Sequence, residues 1–350
     1  MGSMLGFVLS GLLVGAAFGF VLQRGRYCVN TAFRDVMFIN DFTLLRAYVL
    51  GVVITIIGAN LLEDAGMIEE LRRQAFVPWA NIVGGYIFGM GIVLAGGCGS
   101  GILYRVGEGL IAALVAVFGF FFGIAMTKSG LLQPINDFFH SEARVVWLDD
   151  EIPTLYNWLG INKWIIIAVI TAGAVPFLLK GQPFKKGNRG FYWSTAGALV
   201  GVVAIAAWWA SDYFGGGARG LSFTGPLREF FFAVLLGDSA GNPDQSVSML
   251  GITFTWSSLY VLAVPLGAYL SAKLMKEFKF KVPPADELLR VLLGGLVMGI
   301  GAQIGGGCNI GHGLTGVSTL AISSWVATIF IVLGNWTMVY FLLIRPMRDV

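Results

Sequence analysis

Charge is what this 350-residue sequence has least of: Asp, Glu, Lys and Arg make up 12% of it, against about 25% in an ordinary soluble domain. Set beside 56% hydrophobic residues, that shortage excludes a water-soluble fold, which could not hide so much apolar surface, and a disordered chain, which needs the opposite balance. Cysteine is scarce too. The three present form no CxxC pair and are odd in number, which excludes a disulfide framework. The formal charge of +3 is too small to speak for or against nucleic acid; no nucleic-acid partner is expected, and the partner the composition implies is membrane lipid. Met1, Gly2 and Ser3, ahead of a second start-like Met4, read as a cloning scar.

What is there is apolar sequence in runs long enough to cross a bilayer, for which about 20 residues suffice. The spans read as Met4 to Leu22, Leu44 to Leu62, Ile82 to Ala95, Leu110 to Thr127, Trp164 to Leu179, Phe191 to Ser211, Leu250 to Ala272, Leu292 to Ile304 and Ala321 to Ile344. An all-α, polytopic membrane protein with nine transmembrane helices follows. The third and eighth spans are short and run into glycines and a cysteine, so they are expected to be broken helices. Cytoplasmic loops carry the excess of Lys and Arg. Lys180, Lys185, Lys186 and Arg189 share one loop, and Lys273, Lys276, Lys279, Lys281 and Arg290 another, on the side of Arg345 and Arg348. Glu63, Asp64, Glu69 and Glu70, and then Asp137, Glu142, Asp149, Asp150 and Glu151, fall on the opposite side. The N-terminus is therefore expected outside and the C-terminus inside. The acidic stretch from Lys128 to Lys163, with Trp147 and Trp158, reads as a helix lying on the outer surface.

Glycine is abundant, at 49 residues, and it repeats. A shift of 210 residues places Gly84, Gly85, Gly89, Gly91, Gly96, Gly97, Cys98 and Gly101 on Gly294, Gly295, Gly299, Gly301, Gly306, Gly307, Cys308 and Gly311. Fainter echoes pair Arg24 and Gly25 with Arg219 and Gly220, and Arg34 and Asp35 with Arg228 and Glu229. Five crossings separate the two starts, an odd number, so the halves are inverted. The expected organisation is a first repeat over 4–127, a linking segment over 128–190 and a second, inverted repeat over 191–344. Tyr27 to Asn40 and Pro226 to Leu236 are too short to cross and too apolar for water, and read as re-entrant half-helices. In inverted repeats the binding site lies near the midplane, where discontinuous helices meet.

The candidate chemistry sits on GGCGSG, Gly96 to Gly101, and GGGCNIG, Gly305 to Gly311. Successive N–H groups in such turns, followed by a helix N-terminus, can hold an anion. Gly97, Gly99, Ser100 and Gly307 belong to these turns, and Cys98 and Cys308 present sulfur there. The plainer alternative is that the glycines allow close helix crossing and the cysteines fill space. Cys28 follows Arg24 and Arg26, which either snorkel or contact ligand. Gln303, Asn309 and His312 lie near the second turn, and Arg105 and Glu108 near the first, where those two either pair or serve the ligand. Glu108 is also the one acid placed to carry a coupled proton. A Cys₃His zinc site is disfavoured by spacings of 70 and 210 residues, and a quinone-linked thiol oxidoreductase by the lack of an adjacent pair. No cofactor is expected. Isolated thiols that donate weakly suit a conduction path for a sulfur compound; a persulfide relay, a membrane sulfurtransferase, or a transporter of another sulfur or selenium species is the alternative.

At GRYCVN (Gly25 to Asn30), GGCGSG and GGGCNIGHG (Gly305 to Gly313) the chain resembles the YeeE/YedE family of sulfur-transport membrane proteins. The resemblance covers almost the whole chain. It implies thiosulfate uptake across the bacterial inner membrane, with Cys28, Cys98 and Cys308 as the family's essential cysteines. It implies an hourglass of two inverted halves, and a small cytoplasmic TusA-like sulfur-carrier protein as partner.

Overall fold

The computed structural model describes residues 4–141, 145–148, 151–181, 190–239, 245–249 and 251–348. Its helices are α1 (Met4–Arg24), α2 (Val29–Phe38), α3 (Thr43–Asp64), α4 (Pro78–Leu94), α5 (Gly99–Gly107), α6 (Ile111–Ser129), α7 (Gln133–Phe139) and α8 (Leu155–Leu159). They continue as α9 (Lys163–Leu179), α10 (Trp193–Gly215), α11 (Thr224–Leu236), α12 (Trp256–Leu274), α13 (Ala285–Gly305), α14 (Ile322–Val339) and α15 (Arg345–Arg348). π-helical turns span Gly311–Gly316 and Tyr340–Ile344, and one hairpin pairs β1 (Ser246–Met249) with β2 (Ile252–Thr255). Among the described residues eight helical stretches are long and apolar enough to cross a membrane, and α9 is a shorter apolar helix of 17 residues. The protein is a multi-pass α-helical membrane protein.

Several boundaries differ from the hydropathy reading, for physical reasons. The third and eighth spans are not short: α4 has 17 residues and α13 has 21. α13 starts well before Leu292 because Asp286 and Glu287 occupy its first turn, where carboxylates favour the positive end of the helix. The breaks come after these helices, at Gly96 (φ +72°) and Gly306 (φ +84°). The seventh span loses its start to the hairpin, and α12 begins at Trp256 under the Thr255 cap, whose side chain accepts from Ser258 N. The acidic linker is not one surface helix. Gly130, Pro134 and Pro153 divide it, leaving α7 and α8 with 7 and 5 residues, although Trp147 and Trp158 are exposed. The two short amphipathic pieces are the helices α2 and α11. Glu142, Asp149, Asp150, Lys185, Lys186 and Arg189, used for orientation, lie outside the described residues.

Glycine decides how the long helices meet. A β-carbon on Gly84 would lie 2.1 Å from Gly305 N, and one on Gly294 would lie 2.3 Å from Ala95 N. One on Gly91 would lie 2.4 Å from Met298 N, and one on Gly301 would lie 2.3 Å from Phe88 N. No side chain fits between α4 and α13, so the backbones touch, the close approach that drives association where lipid removes the hydrophobic incentive. The same holds where Gly89 meets Ile331 O and Gly299 meets Phe120 O, at 2.2 and 2.3 Å. A shift of about 210 positions carries each contact onto its counterpart. Whole helices pair in the same exchange: α1 on α12 and α3 on α10, α4 on α14 and α6 on α13.

Candidate functional site

Each cysteine stands immediately before a helical turn. Cys28 precedes α2 and Cys98 precedes α5, both with extended backbone. Their carbonyls accept from Ala32 N at 2.9 Å and Ile102 N at 2.8 Å, and the Cys308 carbonyl accepts from His312 N at 2.7 Å. All three thiols are free and buried. Each therefore stands at a turn whose unpaired N–H groups give a helix start its affinity for anions.

Two of them touch. Cys28 Sγ lies 3.8 Å from Cys98 Sγ, which lies 3.5 Å from Ser100 Oγ. The expectation that no cysteines are adjacent is thus corrected; 70 residues of chain return α5 to the start of α2. Gly101 makes this possible, since a β-carbon there would fall 2.6 Å from Cys28 Sγ and 3.2 Å from Cys98 Sγ. Gly311 occupies the equivalent place in the second turn. A β-carbon on it would lie 2.9 Å from Ser222 Oγ and 3.8 Å from Cys308 Sγ, and its own N–H donates to Cys308 Sγ at 3.4 Å. Ser222 thus holds beside Cys308 the place that Cys28 holds beside Cys98. The next residue, Phe223, lies 3.2 Å from the corresponding position on Gly99. Consecutive residues thereby touch both turns, so the two turns lie side by side.

The second turn is tied down by polar side chains, as exposed backbone at depth requires. Gly305 O accepts from Asn81 Nδ2 at 2.9 Å and sits 2.9 Å from His312 Nε2, while His312 Nδ1 lies 3.1 Å from Ser324 Oγ. Tyr48 donates to Gly313 O at 2.6 Å, and Thr315 to Leu221 O at 2.6 Å. His312 is therefore a clamp on the turn, and Gly307 packs against its ring. Asn309 is different. Its Oδ1 and Nδ2 are both buried without a hydrogen-bond partner among the described residues, an arrangement native proteins keep for a reason. Next to Cys308, the two open N–H groups of its Nδ2 fit an oxyanion, which offers acceptors only.

At the first turn Arg105 donates to Gly96 O and lies against Gly97. It does not pair with Glu108, as one sequence alternative had it. Glu108 takes Arg26 at 2.6 Å and Gln23 at 3.1 Å, because Arg105 reaches back along α5 while Glu108 caps the helix end that faces the α1–α2 break.

A cavity of about 350 Å³ opens beside the α3–α4 loop and reaches Gln303, Ser222, Thr224, Gly306 and Gly311. Arg72, Arg73, Lys128, Arg219 and Arg228 line it, against the single acid Glu229. Arg73 is matched by Glu63 at 3.0 Å, and Arg219 by Glu229 at 2.9 Å. Arg72, Lys128 and Arg228 have no carboxylate partner among the described residues. Burial first, and then the Arg219 charge, push Arg72 below its ordinary pKa against the opposing pull of Glu229. Thr224 Oγ1 is buried there without a hydrogen-bond partner among the described residues. Sequence reading took Arg219, Arg228 and Glu229 only as a faint repeat and passed over Arg72 and Lys128. No linear pattern joins them, and Glu229 is a second buried acid beside Glu108.

The sequence profile of a family described as sulphur transport matches residues 24–337. A thiosulfate transporter TsuA of Spirochaeta thermophila is 38% identical over 346 residues, covering 97% of this chain and 100% of that protein. A thiosulfate transporter TsuA of Escherichia coli is 31% identical over 357 residues, covering 99% and 97%. A probable transporter YedE of Escherichia coli is 33% identical over 103 residues, covering 29% of this chain and 24% of that one.

Proposed function

This chain belongs to the sulphur transport family, and from that premise we propose that it carries thiosulfate inward across the bacterial inner membrane along a path lined by Cys308, Cys98 and Cys28. It is a transporter. The observation that carries the path is the contact chain. The cationic cavity reaches Gly311, whose N–H meets Cys308 Sγ; Ser222 and Phe223 bridge to the first turn; Cys98 Sγ stands 3.8 Å from Cys28 Sγ.

Thiosulfate is a dianion with three oxygen acceptors and one terminal sulfur. The unpaired cations of the cavity gather it, and Asn309 with the N–H groups of the second turn takes its oxygens. Protonated thiols then give the terminal sulfur weak donors in succession, and weak successive contacts let the ion leave as readily as it arrives. Gly97, Gly99 and Ser100 line the first turn, and Gly307, Asn309 and Gln303 the approach to the second. Arg105 and His312 hold the turn backbones, and Arg26 meets the ion last.

The two-repeat organisation, 4–127 and an inverted 191–344 linked through 128–190, is part of the same proposal. The exchanged glycine contacts support it, and an hourglass pinch at the two turns belongs to the same proposal. The cavity side is taken as outside, with the N-terminus, and the lysine-bearing α12–α13 loop as inside, with the C-terminus. A small TusA-like sulfur carrier is taken to receive the cargo at that inner face.

Replacement of each cysteine by alanine, in a strain lacking other importers, is expected to cut thiosulfate-supported growth and uptake by about ten-fold or more, as loss of a positioned contact does. Normal growth of all three variants would sink the path. Doubly labelled thiosulfate separates transport from sulfur transfer: transport delivers both sulfurs inside, and transfer leaves sulfite behind.

A further inference from the structure

Below the Cys28–Cys98 pair the chain is fastened by one cation. Arg26, two residues before Cys28, sits in the left-handed region at φ +49°, where a non-glycine residue is strained and persists only when its surroundings hold it. Its guanidinium is shared between Glu108, at 2.6 Å, and Glu277. Gln23 Nε2 donates to both carboxylates, at 3.1 Å each. Glu108 caps α5, the helix that Cys98 starts, and Glu277 belongs to the α12–α13 loop. Three segments from both ends of the sequence are thus tied at one point. The same loop is laced across the α5–α6 turn by Lys279 N to Glu108 O at 3.1 Å, Lys281 N to Gly109 O at 3.2 Å and Ile111 N to Lys281 O at 3.1 Å.

A cavity of about 320 Å³ lies here, lined by Arg26, Glu108 and Glu277 together with Lys276, Lys279 and Lys281. None of the three lysines has a carboxylate partner among the described residues. Gln23 Oε1 is buried with no hydrogen-bond partner among the described residues, an acceptor left open in this arrangement and one that a rearranged network can satisfy.

We infer that Glu108 and Glu277 form a carboxylate latch on Arg26 that closes the exit below Cys28, and that Glu277 and Gln23 are gating residues of transport. The latch rests on the inward direction proposed above only for the name of the side it closes. With the latch shut, both carboxylates occupy the Arg26 guanidinium, so an anion that the three lysines gather in this cavity finds that cation already engaged. A dianion at the thiol pair competes for the same guanidinium from the other side. Once it takes Arg26, the released carboxylates find the unpaired lysines, and the loop that carries Glu277 is free to move away. The Arg26 side chain is half exposed, and ion pairs in contact with water are weak enough to exchange.

The test reads access and not transport. Membrane vesicles of both orientations, holding the intact protein, are treated with a charged, impermeant maleimide, and modification of Cys28 and Cys98 is followed by peptide mass spectrometry. In wild type both thiols are expected to react slowly from either face. Glu277→Gln and Glu108→Gln are expected to speed modification of Cys28 by about ten-fold from the α12–α13 face, as opening of a local contact does. The exchange Arg26→Glu with Glu277→Arg is expected to slow it again. Should Glu277→Gln fail to reach the membrane, Glu277→Asp, shorter but still charged, is expected to give an intermediate rate of about three-fold. Rates within about two-fold of wild type from both faces, for every variant, overturn the latch. Faster modification from vesicles of the opposite orientation keeps the latch and overturns the assigned direction.

Discussion

Gly101 shows how little freedom the thiol pair allows. A single methyl group there would sit 2.6 Å from Cys28 Sγ, well inside van der Waals contact, so Gly101→Ala must push one thiol off line. Overpacking of this kind costs about 1–3 kcal/mol, which is enough to fold around but large beside the weak contacts of conduction. Uptake by Gly101→Ala is therefore expected to fall about ten-fold while the protein still reaches the membrane, with radiolabelled thiosulfate uptake and immunoblotting as the paired measurements. Unchanged uptake would mean that the ion does not pass the pair. The residue scale is also where sequence reading stopped short. The match of Arg34–Asp35 to Arg228–Glu229 already carries Cys28 onto Ser222, the residue found beside Cys308. Its neighbour in the match, Arg24–Gly25 on Arg219–Gly220, needs a register one residue different, and without coordinates nothing says which is right. The approach of Cys28 to Cys98 was illegible for another reason: it depends on where α5 turns back, which the 70 residues between them do not encode locally.

At the scale of elements, hydropathy located every crossing helix, because apolar length is a property of local sequence. It misplaced helix starts wherever polar residues belong to the helix, as in the first turn of α13, and it took β2 for the start of a crossing helix. The glycine register was legible and the helix contacts give it a physical meaning. Gly89 and Gly299 stand at matching positions of α4 and α13, with backbone oxygens 2.2 and 2.3 Å from where a β-carbon would be. Gly89→Ala and Gly299→Ala are both expected to lower stability by about 1–3 kcal/mol and to do so alike. Gly173 in α9 has nothing within 4 Å, so Gly173→Ala is expected to leave stability unchanged or raise it by up to about 1 kcal/mol, the helix preference of alanine. Thermal unfolding in detergent compares the three. Equal destabilisation at Gly173 would show that helix propensity, not interhelical contact, governs these glycines.

Over the whole molecule the two ends of the proposed path differ in kind. The cavity near Cys308 has cations left over after Arg73 and Arg219 are matched, whereas the far end has its arginine bound by two carboxylates. The far end has unpaired cations too, in Lys276, Lys279 and Lys281, so the ends differ in the latched arginine and not in which of them draws an anion, although the two halves share a glycine register. The gathering cavity near Cys308 could not be read from the sequence, since Arg72, Lys128 and Arg228 reach it from three distant segments. It has a kinetic consequence. Unpaired cations in a cleft raise the local concentration of an anion before it meets the turns, so removing one should weaken capture and leave passage alone. Arg72→Gln and Arg228→Gln are each expected to raise the half-saturating thiosulfate concentration about ten-fold with little change in maximal rate. Added salt should raise it in wild type and do so less in the variants, because screening acts on charges still present. A fall in maximal rate at unchanged half-saturation would instead assign these arginines to the passage itself, and the cavity would no longer be the place where the ion is gathered.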